Sequence, residues 1–214
     1  MSHDDFATEP LRGLPEPLPP GEKMLWQGAP DWRALALHAY RVRALATYGA
    51  AVILARALYR LLGGVAIPEI VGDLWVPVAL MATGLALLCV IAWLAARTTV
   101  YTLTDRRIVI RQGIALPVTM NLPLSLVDGV AGARRARDAG DLALQLAPDQ
   151  RVSYLLLWPH VRPWQWRHPQ PMLRAIAGHD AVGEQLVGAM QGKTRTRRVA
   201  PAAADADVGS LSLA

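Results

Sequence analysis

Residues Leu74–Ala96, LWVPVALMATGLALLCVIAWLAA, decide how this chain is read: the run carries no formal charge and is long enough to cross a bilayer's hydrocarbon core as a helix. Asp73 and Arg97 bound it, and Trp75 and Trp93 stand near its ends, where indoles settle at the lipid–water interface. The pattern puts Pro77 in the first turn, where its missing N–H costs little. Working outward, the stretch from Ala44 to Ile67 is also apolar but is broken by Arg56 and Arg60, whose i, i+4 spacing places both on one helical face. At about 1.5 Å per residue, Arg56 lies roughly 18 Å from a helix start at Ala44, past the middle of a core about 30 Å thick. Its charge is met either by snorkelling toward the far interface or by a polar contact with a partner helix. Ala46, Gly49 and Ala50 form a small-residue face, which is compatible with a homodimer.

The flanks orient this pair of helices. Arg33, Arg41 and Arg43 precede the first, and Arg97, Arg106 and Arg107 follow the second, whereas the connection from Gly63 to Asp73 carries only Glu69 and Asp73. The excess of arginine on one side predicts that both termini and the soluble part are cytoplasmic. The opening residues are acidic and proline-rich, unlike a secretory signal, which agrees with that topology. A net charge of +5 invites a nucleic-acid reading. The arginines, however, gather beside the apolar runs and near the C-terminus, so membrane lipids are the expected counter-surface and nucleic acid is not. The single cysteine, Cys89, excludes an intramolecular disulfide and a cysteine-rich metal site.

After the second apolar run the period changes to two. YTLTDRRIVIRQG, Tyr101–Gly113, reads as strand, turn at Thr104 and Asp105, strand and glycine turn. Val118, Met120, Leu122 and Leu124 alternate with polar or small residues, as do Leu142, Leu144 and Leu146, and so do Val152, Tyr154, Leu156 and Trp158. A helical pattern carrying Val182, Leu186 and Met190 closes the order, which predicts an antiparallel sheet module with one C-terminal helix. The expected divisions are a proline-rich arm over 1–20, a cytoplasmic collar over 21–43 and a first membrane helix over 44–67. A short periplasmic connection over 68–73 and a second membrane helix over 74–97 follow, then the soluble domain over 98–192 and a basic, then disordered, tail over 193–214.

Motif searches point away from catalysis. His3, His38, His160, His168 and His179 show no paired-ligand or nucleophile-elbow spacing, and no phosphate-binding glycine loop is present, so the chain is read as a non-enzyme without metal or cofactor. His38, ahead of the first apolar helix, is a polar residue at headgroup level rather than a tetrapyrrole ligand. The informative cluster is WPHVRPWQWRHPQPMLR, Trp158–Arg174, with three tryptophans, three arginines, two histidines and four prolines. Tryptophan and arginine dominate binding hot spots, and prolines limit the entropy lost on docking. Two readings stand: a protein-binding surface carried by Arg162, Trp164 and Trp166, or indoles packed on a sheet edge and against headgroups.

These residues carry a resemblance. LRGLPEPLPPGEKMLWQGAPDW, the two apolar runs, YTLTDRRIVIRQG, the GDLAL strand from Gly140 to Leu144 and WPHVRPWQWRHPQPMLRAI together resemble the PuhB family of photosynthetic complex assembly proteins of purple phototrophic bacteria. YTLTDRR followed by glycine is shared with the wider group of bacterial membrane proteins that carry a pleckstrin-homology-like domain. The resemblance implies an α+β membrane protein: two transmembrane helices, then a pleckstrin-homology-like antiparallel β-sandwich or barrel with a C-terminal helix. It also implies a place in the bacterial inner (intracytoplasmic) membrane and a non-catalytic role in assembling the photosynthetic reaction centre and, indirectly, its core light-harvesting antenna. Reaction-centre and core antenna polypeptides would then be the partners of Arg162, Trp164 and Trp166, with Arg56 and Arg60 as contacts at membrane depth. The alternative from another class is a membrane-anchored lipid-binding or general scaffold module.

Overall fold

The computed structural model describes residues 12–135, 139–150 and 152–199. In chain order it runs β1 (Met24–Gly28), α1 (Trp32–His38), α2 (Val42–Leu62), α3 (Ile67–Thr98), β2 (Val100–Thr104), β3 (Arg107–Gln112) and β4 (Val118–Pro123). A 3-10 turn at Leu124–Leu126 leads to β5 (Val127–Arg134), β6 (Ala139–Leu146), the single turn α4 (Tyr154–Leu157), β7 (Met172–Ala177) and α5 (His179–Val199). Two antiparallel sheets result, one ordered β1-β2-β3-β4 and the other β5-β6-β7. Tyr101, Leu103, Ile108 and Ile110 of the first sheet meet Leu142, Leu144, Leu173 and Ile176 of the second, and Val182 and Leu186 of α5 close the core. This is a pleckstrin-homology-like α+β fold carrying two apolar helices.

α2 and α3 are long and apolar enough to cross a membrane, about 31 and 48 Å by the helical rise. Their large apolar side chains point outward: Leu54, Trp75 and Leu80 are each about 70% exposed. A helix that belonged to a soluble core would have buried them. Gly49 of α2 lies so close to Met81 of α3 that a Cβ there would fall within 2 Å of the methionine methyl, so the small-residue face is where the two helices meet.

Several expectations change. The connection assigned to 68–73 is helical: the chain turns at Gly63 and Gly64, and α3 starts at Ile67 with a proline in its first turn. Charge placed the helix start after Asp73, but Glu69 and Asp73 are tolerated beyond the apolar run, and Pro77 consequently lies inside the helix. Arg60 of α2, rather than Arg56, pairs with Asp73 of α3; Arg56, one turn earlier, is exposed.

The expected collar is part of the sheet module. β1 pairs with β2, so the helices are inserted between the first and second strands, and the soluble domain begins well before residue 98. Glu22 shows why the two distant segments belong together. Its carboxylate accepts from Arg107 Nε at 2.8 Å, Arg107 Nη2 at 3.0 Å and Thr104 Oγ1 at 2.7 Å, which ties GEKMLW to the YTLTDRR turn. Of the expected arm, residues 1–11 lie outside the described residues, while 12–20 are not free: Leu14 is buried, and the Arg12 carbonyl accepts from Gln27 Nε2.

The alternating set Val152, Tyr154, Leu156 and Trp158 is not a strand. Ser153 caps the short helix α4 by accepting from the Leu156 N–H, and Leu157 is the residue that turns inward. β5, VDGVAGAR, was missed because it holds few large apolar residues, and β7 because it lies at the end of the proline-rich cluster. The basic run at the start of the expected tail continues α5 as far as Val199; 200–214 lie outside the described residues.

Candidate functional site

The first helical turns that join the two halves of the molecule also line a cleft. Asp31 caps α1 by accepting from the Arg33 N–H at 2.8 Å, while its own N–H donates to the Ala175 carbonyl of β7 at 2.8 Å, so α1 is held against the second sheet. Small residues let the elements close up: Ala34, Leu35, Ala36 and Tyr40 pack on Ala92, Ala95 and Ala96 of α3 and on Ala139 and Ala175 of the sheet. Between this joint and the 154–166 segment opens a cleft of about 670 Å³. Arg41, Arg43, Arg135 and Arg174 line it with His38, its walls are Tyr154, Trp158, Trp164 and Trp166, and it extends to Thr47 in the second turn of α2.

Among the described residues no carboxylate lines this space. Asp141 sits behind it, where Oδ2 accepts from Arg135 Nε at 2.8 Å and Oδ1 from the Ala175 N–H at 2.9 Å. Arg174 is only 6% exposed, and its Nε has no hydrogen-bond partner among the described residues. Burial pushes the Arg174 guanidinium below its ordinary value against the pull of Asp141. Burial, followed by the charge of Arg135, holds His38 below the usual histidine range, so its imidazole stays neutral. The cleft is therefore positively charged, and it suits an anion with several acceptor oxygens better than a cation or a neutral ligand.

A sealed hydrogen-bond chain braces one wall. His160, fully buried, receives the Tyr101 hydroxyl at Nδ1 (2.5 Å) and meets Thr99 Oγ1 at Nε2 (3.1 Å). Thr99 spends its hydroxyl proton on the Ala95 carbonyl at 2.6 Å, so it can only accept from the ring, which assigns the proton to Nε2. The Tyr101 oxygen in turn accepts from the Arg174 N–H at 3.1 Å. The chain thus runs without a gap from β7 to the C-terminal end of α3. Burial drives the His160 pKa down to about 3, with Arg174 adding to the effect, and it raises that of Tyr101. Neither group reaches solvent, so the pair cannot act on a substrate and serves to lock the wall in place.

Of the residues singled out from sequence, Trp164 and Trp166 are in this cleft. Trp164 is 79% exposed, and Trp166 stacks on Tyr154 with ring centroids 4.1 Å apart. Arg162 is not; its Nη1 donates to Gln170 Oε1 at 3.0 Å and its N–H to the Gln170 carbonyl at 2.9 Å, so it braces the loop. Arg56 and Arg60 lie farther along α2, about 14 Å or more beyond Thr47 by the helical rise. Arg41, Arg43, Arg135 and Arg174 do not stand out as a set in the sequence: the first two read as topology charges, Arg135 carries no local signal, and Arg174 only closes the tryptophan-rich run.

A two-sheet antiparallel module with an apolar helical hairpin inserted after its first strand, and a cationic cleft at the joint, defines a pleckstrin-homology-like protein, a class that is typically non-catalytic. The chain belongs to the bacterial PH domain family, whose model matches residues 45–161, from the first turn of α2 to just past His160. It is also 39% identical over 206 residues to a Rhodobacter capsulatus protein named as an uncharacterized 23.7 kDa protein in the puhA 5′ region, covering 94% of this chain and 95% of that one. No solved structure matches.

Proposed function

We propose that this protein is a non-catalytic assembly factor for the photosynthetic reaction centre, and indirectly for its core light-harvesting complex. It holds client polypeptides at the cytoplasmic face of the bacterial inner membrane. The observation that carries this reading is the nearly end-to-end likeness to the Rhodobacter capsulatus protein named for the puhA 5′ region, taken with the resemblance to photosynthetic complex assembly proteins. In this reading α2 and α3 span the intracytoplasmic membrane, with both termini and the two sheets in the cytoplasm. The outward-facing apolar residues of both helices and the arginines at Arg41, Arg43 and Arg97 support that placement. An anchor confines the search for clients to two dimensions, and Trp164 and Trp166, on the loop that Arg162 braces against Gln170, offer a contact surface beside it, with the exposed Arg56 at membrane depth and Arg60 held by Asp73. Deletion should reduce reaction-centre absorbance selectively while other membrane proteins stay at normal levels. Crosslinking in assembling membranes should capture reaction-centre or core antenna polypeptides; broad membrane defects without such capture would refute the assignment.

One observation favours a second reading, a lipid-binding scaffold: the arginines converge at the start of α2, where a bilayer's headgroups would lie. A label-accessibility test serves both. In a Cys89→Ser background, Ser125→Cys should react with an impermeant maleimide only from the cytoplasmic side.

A further inference from the structure

Turns between strands are ordinarily polar, yet the loop joining β3 to β4 reads Gly113-Ile114-Ala115-Leu116-Pro117, and no formal charge occurs anywhere from Gln112 to Val127. The loop has a defined shape. At Gly113 (φ 127°) a Cβ would come to 2.0 Å from the Leu116 carbonyl oxygen, so glycine is what lets the chain double back and carry Ile114 and Leu116 on the outside. Leu116 is 79% exposed, and Leu155 of α4 is 80% exposed; among the described residues no leucine outside α2 and α3 is more so. Ile114 and Leu156 extend the patch and are also exposed. Both segments lie where the long helices meet the sheets. β2 begins at Val100, directly after α3 ends at Thr98, and Val100 pairs with Arg111, so the loop starts two residues past that pair. α4 is tied to the same end twice: Gln112 Nε2 donates to the Leu156 carbonyl at 2.7 Å, and the Trp158 ring packs edge-on against that of Tyr40, just ahead of α2, with centroids 5.4 Å apart. The turn at Thr104 and Asp105 is about 13 Å away along β2.

We propose that the Gly113–Pro117 loop and α4 form a second, non-spanning membrane contact, with Ile114, Leu116, Leu155 and Leu156 dipping into the apolar margin of the bilayer beside the start of α2 and the end of α3. The proposal rests on the reading of those helices as membrane spans. It involves no headgroup recognition and is independent of the arginine-lined cleft. The four side chains are aliphatic, so the driving force is their removal from water, as for other interfacial apolar segments, which sit about 5–10 Å into the headgroup–acyl boundary. Placement selects a bilayer over a protein partner as the occupant. A client could meet the sheets on any side, whereas this patch falls where the chain leaves the span: Ala96 closes the uncharged run, and Val100 is four residues on. Together with the packing of α1 on α3, the patch sets the tilt of the sheets against the bilayer, and with it the surface they turn toward neighbours in the membrane plane.

The test uses the full chain with Cys89→Ser, reconstituted into nanodiscs of neutral phosphatidylcholine that include a phosphatidylcholine spin-labelled near the top of its acyl chain. Leu116→Cys, Leu155→Cys, Ser125→Cys or Leu87→Cys, introduced one at a time, carries an environment-sensitive fluorophore; all four positions are exposed, so the label leaves the core intact. Emission at Leu116→Cys and Leu155→Cys should shift to the blue and be lost to the spin-labelled lipid. Ser125→Cys, beyond the far end of the β3–β4 pair, should keep its emission. Leu87→Cys, in the middle of the uncharged run of α3, should be quenched by a lipid labelled deeper in its chain, and failure there would refute the membrane reading itself. Quenching at Leu87→Cys with water-exposed, unquenched labels at Leu116→Cys and Leu155→Cys would overturn the proposal alone. Blue-shifted emission at those two positions without lipid quenching would overturn it in favour of a protein contact. Quenching that appears only when phosphatidylglycerol is added would overturn it too, by making the contact one of charge.

Discussion

Replacing His160 by leucine tests whether a sealed hydrogen-bond chain really joins the cleft wall to the end of α3. In the folded protein the imidazole is held neutral, with a pKa near 3 against an ordinary 6.5. Because the folded value is the lower one, protonation favours the unfolded chain. The stabilisation from neutral His160 is complete above pH 6.5 and is lost as pH falls toward 3. The full gap corresponds to a stabilisation on the order of 5 kcal/mol, of which roughly half is gone by pH 4.5. For a chain of this size that is a fall of about 5–10 °C in thermal midpoint between pH 7 and 4.5 from this group alone. His160→Leu should be destabilised at pH 7 by about 2–5 kcal/mol, because the Tyr101 hydroxyl and Thr99 oxygen lose their ring partner. Its midpoint should also fall less than wild type's across the same acid range. The assay is thermal unfolding of the detergent-solubilised full chain, wild type beside variant, at half-unit pH steps. Parallel pH curves for the two proteins would refute a buried neutral histidine in this position.

Other perturbations reach other parts of the structure. Asp73→Asn and Arg60→Gln, alone and combined, should show a coupling of about 0.5–1 kcal/mol in a thermal double-mutant cycle, since the pair is partly exposed at the tip of the helical hairpin; additivity would show that the ion pair contributes nothing. Gly49→Ala should be mild because the flexible Met81 side chain can move aside, whereas Gly49→Ile should separate the helices, read as loss of disulfide crosslinking between cysteines placed on facing turns of α2 and α3. Leu186→Ala, at a fully buried position of α5, should cost about 2–5 kcal/mol of stability without altering membrane association in a flotation assay.

Two physical properties were legible in the residues taken alone: length of apolar run and period of alternation. They are local, so the two long helices, the β2–β3 hairpin through Thr104 and Asp105, and the amphipathic C-terminal helix with Val182 and Leu186 could be read directly. Where local signals were weak or conflicting, the reading failed. Small residues hid β5, and the brief alternation before Trp158 looked like a strand until the Ser153 cap and inward-facing Leu157 made it helical.

What tertiary structure alone decided is everything that depends on distant parts of the chain meeting. β1 reaches across the inserted hairpin to β2, so a segment that looked like a collar is the edge of a sheet. His160 finds its partners 61 and 59 residues away, at Thr99 and Tyr101, and no spacing rule announces that. The cleft draws arginines from positions 41, 43, 135 and 174 onto one surface, while Arg162, the most inviting arginine in the tryptophan-rich run, turns to brace Gln170. Periodicity reports which face of an element is buried; which faces then converge is set by the path of the whole chain, and the charge of a site is a sum over that path.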